Sequence, residues 1–158
     1  MIYVTVGTMF LDFPRLTTAM DTIARDTGEV IIVQTGLSKT LPVHCKHFDF
    51  KPREEVLEIQ RTARVVVCHA GIGCVSDALR MKCPLIVVPR LKRFNEHMND
   101  HQTGLARAVE TRGWGRAIYD VRKLADACAN PPPACVNYAP ANAPLIAELR
   151  SVIASLTR

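Results

Sequence analysis

The chain has 158 residues, 48% of them apolar and 22% charged, which is enough for one domain with a substantial core and excludes a disordered segment. Its net charge of +5 and pI near 9.0 suit an anionic partner, whether small ligand, membrane surface or nucleic acid. The lysines and arginines form no long basic tract or aromatic-interleaved stripe, so no nucleic-acid partner is expected, and no apolar run reaches the roughly 18–20 residues that span a bilayer.

Residues 2–6, Ile-Tyr-Val-Thr-Val, read as a first strand ended by Gly7-Thr8, not as a signal peptide. Pro14 suits the first turn of a helix with Asp12 as its cap, and Leu16, Ala19, Met20, Ile23 and Ala24 recur at helical spacing until Gly28. Val30 to Val33 is a second strand, and His47 to Phe50 a short third. Pro52 with Glu54 and Glu55 opens a second helix that ends near Thr62.

The stretch from Val65 to Leu79, VVVCHAGIGCVSDAL, is a buried strand, a glycine turn and a helix start. Pro84 to Val88 is a fifth strand, followed by the polar loop PRLKRFNEHMNDHQ. A helix through Leu105 and Val109 ends at Gly113. A short strand at 117–119 and a short helix at 121–129 follow. Strands alternate with helices, so the expected fold class is α/β: a Rossmann-like, mostly parallel sheet with helices on both faces. The expected organisation is a domain over 1–128, a Pro-rich linker over 129–142 and an amphipathic helix over 143–158. That helix packs back on its own domain or on a partner chain.

The six cysteines make no CxxC pair and are expected to be small buried residues in a reducing compartment. Cys74 differs because it sits in the glycine turn. With no leader and no span, the expected location is cytoplasmic.

An open parallel sheet binds ligands at the C-terminal ends of its strands, which gathers Gly7-Thr8, Gln34–Gly36, the 69–74 turn and the 89–102 loop on one edge. The turn His69-Ala70-Gly71-Ile72-Gly73-Cys74 aims free amides and a helix dipole at one point, a setting for a phosphate. It lacks the Lys and Ser/Thr of a P-loop and is not GxGxxG. Asp77, one turn into the helix, could accept two hydrogen bonds from a ribose diol or serve the helix dipole. Glu96, Asp100 and Gln102 in the 95–102 loop offer the donors and acceptors that sugar hydroxyls need. His97 and His101 stand four apart, but HMNDH is not HExxH, and no metal site is expected. The basic loop Arg90-Leu91-Lys92-Arg93 suits an acidic sugar, an anionic membrane face or plain solvation.

CHAGIGCVSDAL, VPR at Val88–Arg90 and DHQT at Asp100–Thr103 together resemble the C-terminal, donor-binding domain of glycosyltransferase family 28. VTVGT near the N-terminus resembles the family's single-domain members: the catalytic subunits of two-part UDP-GlcNAc transferases of the dolichol pathway and of bacterial exopolysaccharide transferases. The similarity covers roughly residues 1–120. It implies one half of a GT-B fold and inverting transfer of a sugar from a UDP-sugar to a lipid-linked acceptor. Gly71, Ile72, Gly73 and Cys74 would hold the diphosphate, and Gly7 and Thr8 form a turn able to bring backbone close to the ligand. Asp77 would hold the ribose and Phe50 the uracil; Asp100, His101 and Gln102 would face the sugar, with Gln102 the best candidate for a hydroxyl contact and Glu96 a further substrate-binding candidate of the same loop. His69 and His101 are local candidates for the general base, which the partner could equally supply. No cofactor and no divalent metal is expected, since dipole and amides would stabilise the leaving diphosphate. The acceptor half would be a second, membrane-anchored polypeptide, holding this chain at the cytoplasmic face of a membrane. The alternative is a non-catalytic nucleotide-sugar-binding or scaffold subunit of the same fold.

Overall fold

The computed structural model describes residues 1–138. Six strands form one parallel sheet: β1 (Ile2–Thr5), β2 (Ile31–Gln34), β3 (Lys46–Phe48), β4 (Val65–Cys68), β5 (Leu85–Val87) and β6 (Arg116–Ala117). Their order is β3-β2-β1-β4-β5-β6. The chain builds outward from β1 to β3, crosses back to lay β4 on the other side of β1, and then builds the opposite way. The loops that leave β1 and β4 therefore diverge, and a crevice opens between them at the C-terminal edge.

The four residues of β1 and of β4 are all buried, as the unbroken apolar runs IYVT and VVVC require when helices cover both faces. Alternate side chains feed separate cores. On one face Ile2, Val4, Val65, Val67 and Ile86 pack on α1 (Pro14–Thr27) and α5 (Leu124–Ala129). On the other, Tyr3, Val66, Cys68, Leu85 and Val87 pack on α3 (Ile72–Arg80) and α4 (Gln102–Thr111). The remaining helix, α2, spans Arg53–Thr62. Among the described residues no helix is long and apolar enough to cross a membrane.

Two local expectations change. Asp12 does not cap α1: Phe13 precedes the helix, with no side-chain cap. The Asp12 carboxylate instead accepts hydrogen bonds from the Phe13 amide at 2.8 Å, the Ser38 hydroxyl, and the Thr40 amide and hydroxyl at 3.1 and 2.7 Å. It thereby ties the loop after β1 to the loop after β2. The third strand ends at Phe48, which leaves Phe50 in the loop before α2.

All six cysteines are free thiols, four of them buried. Residues 130–138 form no helix or strand, though Tyr138 lies edge-on to Trp114 with ring centroids 5.4 Å apart. The expected helix over 143–158, with the end of the expected linker, lies outside the described residues.

Candidate functional site

The crevice beside β1 and β4 is a cleft of about 460 Å³. Gly7 and Thr8 line it from β1; His69, Gly71, Gly73, Cys74 and Asp77 line it from the turn after β4 and from α3. Phe50, Lys51 and Arg53 close the side nearest α2. The structure thus brings together, from three separate segments, most of the residues that the sequence pattern nominates.

The turn is built around one imidazole. A Cβ at Gly7 or at Gly71 would overlap the His69 ring, so both positions require glycine for space, and Gly7 also for its φ of +81°. Gly36, with φ +55°, lies against the Gly7 carbonyl in turn. The His69 amide donates to the Thr5 carbonyl at 3.2 Å, which fixes the ring at the floor of the cleft. Burial, reinforced by the nearby Arg90 cation, pushes the imidazole down to about 4, so it is neutral at physiological pH. Its Nδ1 is buried without a hydrogen-bond partner.

Gly71 caps α3 in extended conformation and no side chain caps the helix. The first-turn amides of Ile72, Gly73 and Cys74 thus have no intrahelical acceptor and carry the positive end of the dipole. Space is open around Gly73. Ile72 contributes its backbone position only, since its side chain is among the exposed large apolar groups. Burial pushes the Cys74 thiol up to about 11, so it adds no negative charge at the turn.

Asp77 faces the cleft, but with a protein partner. Arg53 at the start of α2 donates to both its oxygens, at 2.9 and 2.6 Å. Deeper in, the Gln34 side-chain oxygen accepts from the hydroxyls of Tyr3 at 2.8 Å and Thr5 at 3.0 Å.

The loop after β5 behaves differently. Glu96 is buried and does not line the cleft; it forms a two-point ion pair with Arg15, at 2.9 and 2.8 Å, and accepts from the Leu91 amide. The oxygen of Gln102, also buried, accepts from the Arg90 amide at 3.0 Å. Asp100 accepts from the Lys92 amide, and His101 is exposed against Asn99. His97 and His101 meet ring to ring at 4.5 Å, and among the described residues no cluster of three potential metal ligands forms.

One residue of the cleft escaped the sequence pattern: Arg53, although its place just after Pro52 on the ligand-bearing edge is a signal. Arg90, expected in a basic loop facing a ligand, a membrane or solvent, is placed differently. It is fully buried, donating to the carbonyls of Val6, Leu11, Asp12 and Glu96 at 2.8–3.1 Å. Burial lowers its guanidinium to about 10, which leaves it charged. The basic tract 90–93 is therefore split: Arg90 and Leu91 turn inward, and Lys92 and Arg93 face solvent.

A parallel sheet of this order, with a glycine-lined cleft at the switch point and a helix N-terminus aimed into it, is a Rossmann-like α/β fold, and solved GT-B glycosyltransferases share it. The model of the glycosyltransferase family 28 C-terminal domain matches residues 1–132, and the chain belongs to that family. The UDP-N-acetylglucosamine transferase subunit ALG13 of Eremothecium gossypii is 44% identical over 84 residues, an alignment that spans 52% of this chain and 38% of that relative. The solution structure of ALG13 superposes with a TM-score of 0.59 at 18% identity, covering 85% of this chain and 88% of that one. The glycotransferase of kitacinnamycin superposes with a TM-score of 0.62 at 19% identity, covering 82% of this chain but 34% of its own. The calicheamicin glycosyltransferase CalG4 gives 0.62 at 17%, covering 86% and 34%. At these identities the solved structures speak for the fold alone.

Proposed function

We propose that this chain is the donor-binding catalytic subunit of an inverting glycosyltransferase, moving a sugar from a UDP-sugar to a lipid-linked acceptor in polysaccharide or glycolipid synthesis. The observation that carries the reading is the cleft at the switch point, where free α3 amides, the Asp77 carboxylate and the exposed Phe50 ring share one cavity. In this reading the amides of Ile72, Gly73 and Cys74 and the backbone at Gly7-Thr8 hold the diphosphate. Asp77 accepts the ribose hydroxyls and Phe50 covers the uracil. The α3 dipole and amides stabilise charge on the departing UDP, so no metal ion is required. The name of the fungal relative favours N-acetylglucosamine over glucose or glucuronic acid.

The acceptor site in this reading belongs to a membrane-anchored partner that holds the chain at the cytoplasmic face. His69 is too weak a base at about 4 to deprotonate an acceptor hydroxyl efficiently. Its role is to shape the turn, and the base comes from the partner or from the exposed His101. The same depressed imidazole favours a second reading, a nucleotide-sugar-binding subunit without catalysis of its own.

Calorimetric titration of the chain with UDP tests the donor site: saturable binding is expected, and its absence both alone and with the partner overturns the proposal. Co-expression with candidate membrane subunits, followed by assay with radiolabelled UDP-sugars, separates the two readings. Binding without transfer in an otherwise active assembly supports the second.

A further inference from the structure

Three loop stretches at the C-terminal edge form one rim beside the cleft: residues 7–13, 35–41 and 88–101. They are joined from within. Asp12 binds Ser38 and Thr40, and Arg90 binds the carbonyls of Leu11, Asp12 and Glu96. Held this way, the rim exposes large apolar side chains: Phe10, Leu37, Leu41, Phe94 and Met98 are each 47–68% exposed.

The charges on the rim are sorted by sign. It contains three carboxylates. Asp12 and Glu96 are turned inward onto the partners described above, and Asp100 is exposed, one of its oxygens accepting from the Lys92 amide. Apart from the buried Arg90, its lysines and arginines face outward. Lys39, Lys92 and Arg93 are exposed, and none forms an ion pair among the described residues. Arg93 lies over the Phe94 ring at 4.8 Å, so a cation and an aromatic are presented together.

Exposed apolar side chains interleaved with unpaired cations match the two layers of an anionic membrane surface. The apolar groups enter the headgroup boundary while the cations meet lipid phosphates. A polar protein surface would satisfy the cations but leave five large apolar side chains wet.

We infer that this rim docks the chain directly on an anionic phospholipid surface, in addition to any hold through a partner subunit. The inference is independent of the donor reading, because lipid partition and UDP binding are separate measurements.

The test is flotation of the full chain with vesicles of phosphatidylcholine, with and without phosphatidylglycerol. Flotation is expected with the anionic vesicles and should weaken as salt rises. Lys92→Glu combined with Arg93→Glu should lower the partition coefficient at least about tenfold, since each basic residue near an anionic surface contributes about fivefold. Phe94→Ser combined with Met98→Ser should lower it at every salt concentration. UDP titration and thermal melts of both variants report whether they are folded.

Wild-type protein that fails to float, or that floats equally on neutral vesicles, overturns the inference. So do folded variants that float like the wild type. A monomer–dimer equilibrium abolished by Phe94→Ser and Met98→Ser, without flotation, would assign the rim to a second copy instead.

Discussion

Arg53 grips both oxygens of Asp77 from the opposite wall of the cleft, so the carboxylate proposed to hold a ribose is already held by the protein. The pair is partly solvated, with Arg53 61% exposed, and so contributes little to stability. It orients the carboxylate, and a diol would share it or displace it. Asp77→Ala should therefore weaken UDP binding by about 1–3 kcal/mol, the loss of a charged hydrogen bond. Arg53→Ala should leave the melting temperature nearly unchanged and alter UDP affinity less than Asp77→Ala does. Calorimetry on the two variants checks both. Unchanged UDP affinity in folded Asp77→Ala protein would remove the ribose assignment.

The contact between His69 and Gly71 predicts a rescue. Gly71→Ala places a methyl in the imidazole ring and should destabilise the fold by about 1–3 kcal/mol, as overpacking does. In a His69→Ala background the same substitution should be nearly neutral. A double-mutant cycle by urea denaturation measures the coupling, and additive effects would contradict the packing described.

The same imidazole gives a pH signature. Its folded value of about 4 lies below the ordinary 6.5, so the unfolded chain binds the proton more readily. Stability from this group is present above about pH 6.5 and is lost as pH falls toward 4, by up to about 3 kcal/mol. Carboxylates such as Asp12, whose hydrogen bonds outweigh burial and hold it below the usual range, lose stability at lower pH still. Urea melts of wild type against His69→Gln isolate the histidine: the difference between them should narrow between pH 7 and 4.5. A parallel pair of curves would contradict the neutral, buried ring.

Glu96 and Arg15 form a two-point ion pair buried beneath the rim. Glu96→Gln leaves the guanidinium without its counter-charge and should lower stability by about 3–5 kcal/mol, or prevent folding. Glu96→Ala with Arg15→Met should recover much of that loss. Denaturant unfolding measures both. If Glu96→Gln is stable and instead loses sugar-donor affinity, the carboxylate serves the ligand.

Local pattern revealed what local forces decide. The runs around Val4, Val66 and Ile86, the stop at Gly28 and the turn from Gly71 to Gly73 are legible because solvent exclusion and glycine geometry act over a few residues. Which strands are neighbours was not legible, since β1 meets β4 only after two intervening strands are laid down. Nor were the pairings Arg53–Asp77 and Arg15–Glu96, whose members lie 24 and 81 positions apart. That distance explains the uneven reading of the site. Residues in the glycine turn line the cleft as the pattern suggests. In the loop after β5, polar side chains that look free for a ligand are already satisfied by groups brought from elsewhere in the fold: Glu96 by Arg15, Gln102 by the Arg90 amide.

The outer margins of the sheet are short strands, β3 with three residues and β6 with two. Outer strands carry the backbone groups through which one sheet can add to another and seed aggregation, and short ones offer little to template on. The sheet is thereby shielded against edge-to-edge assembly at its margins, while the buried four-residue strands β1 and β4 are enclosed at the centre.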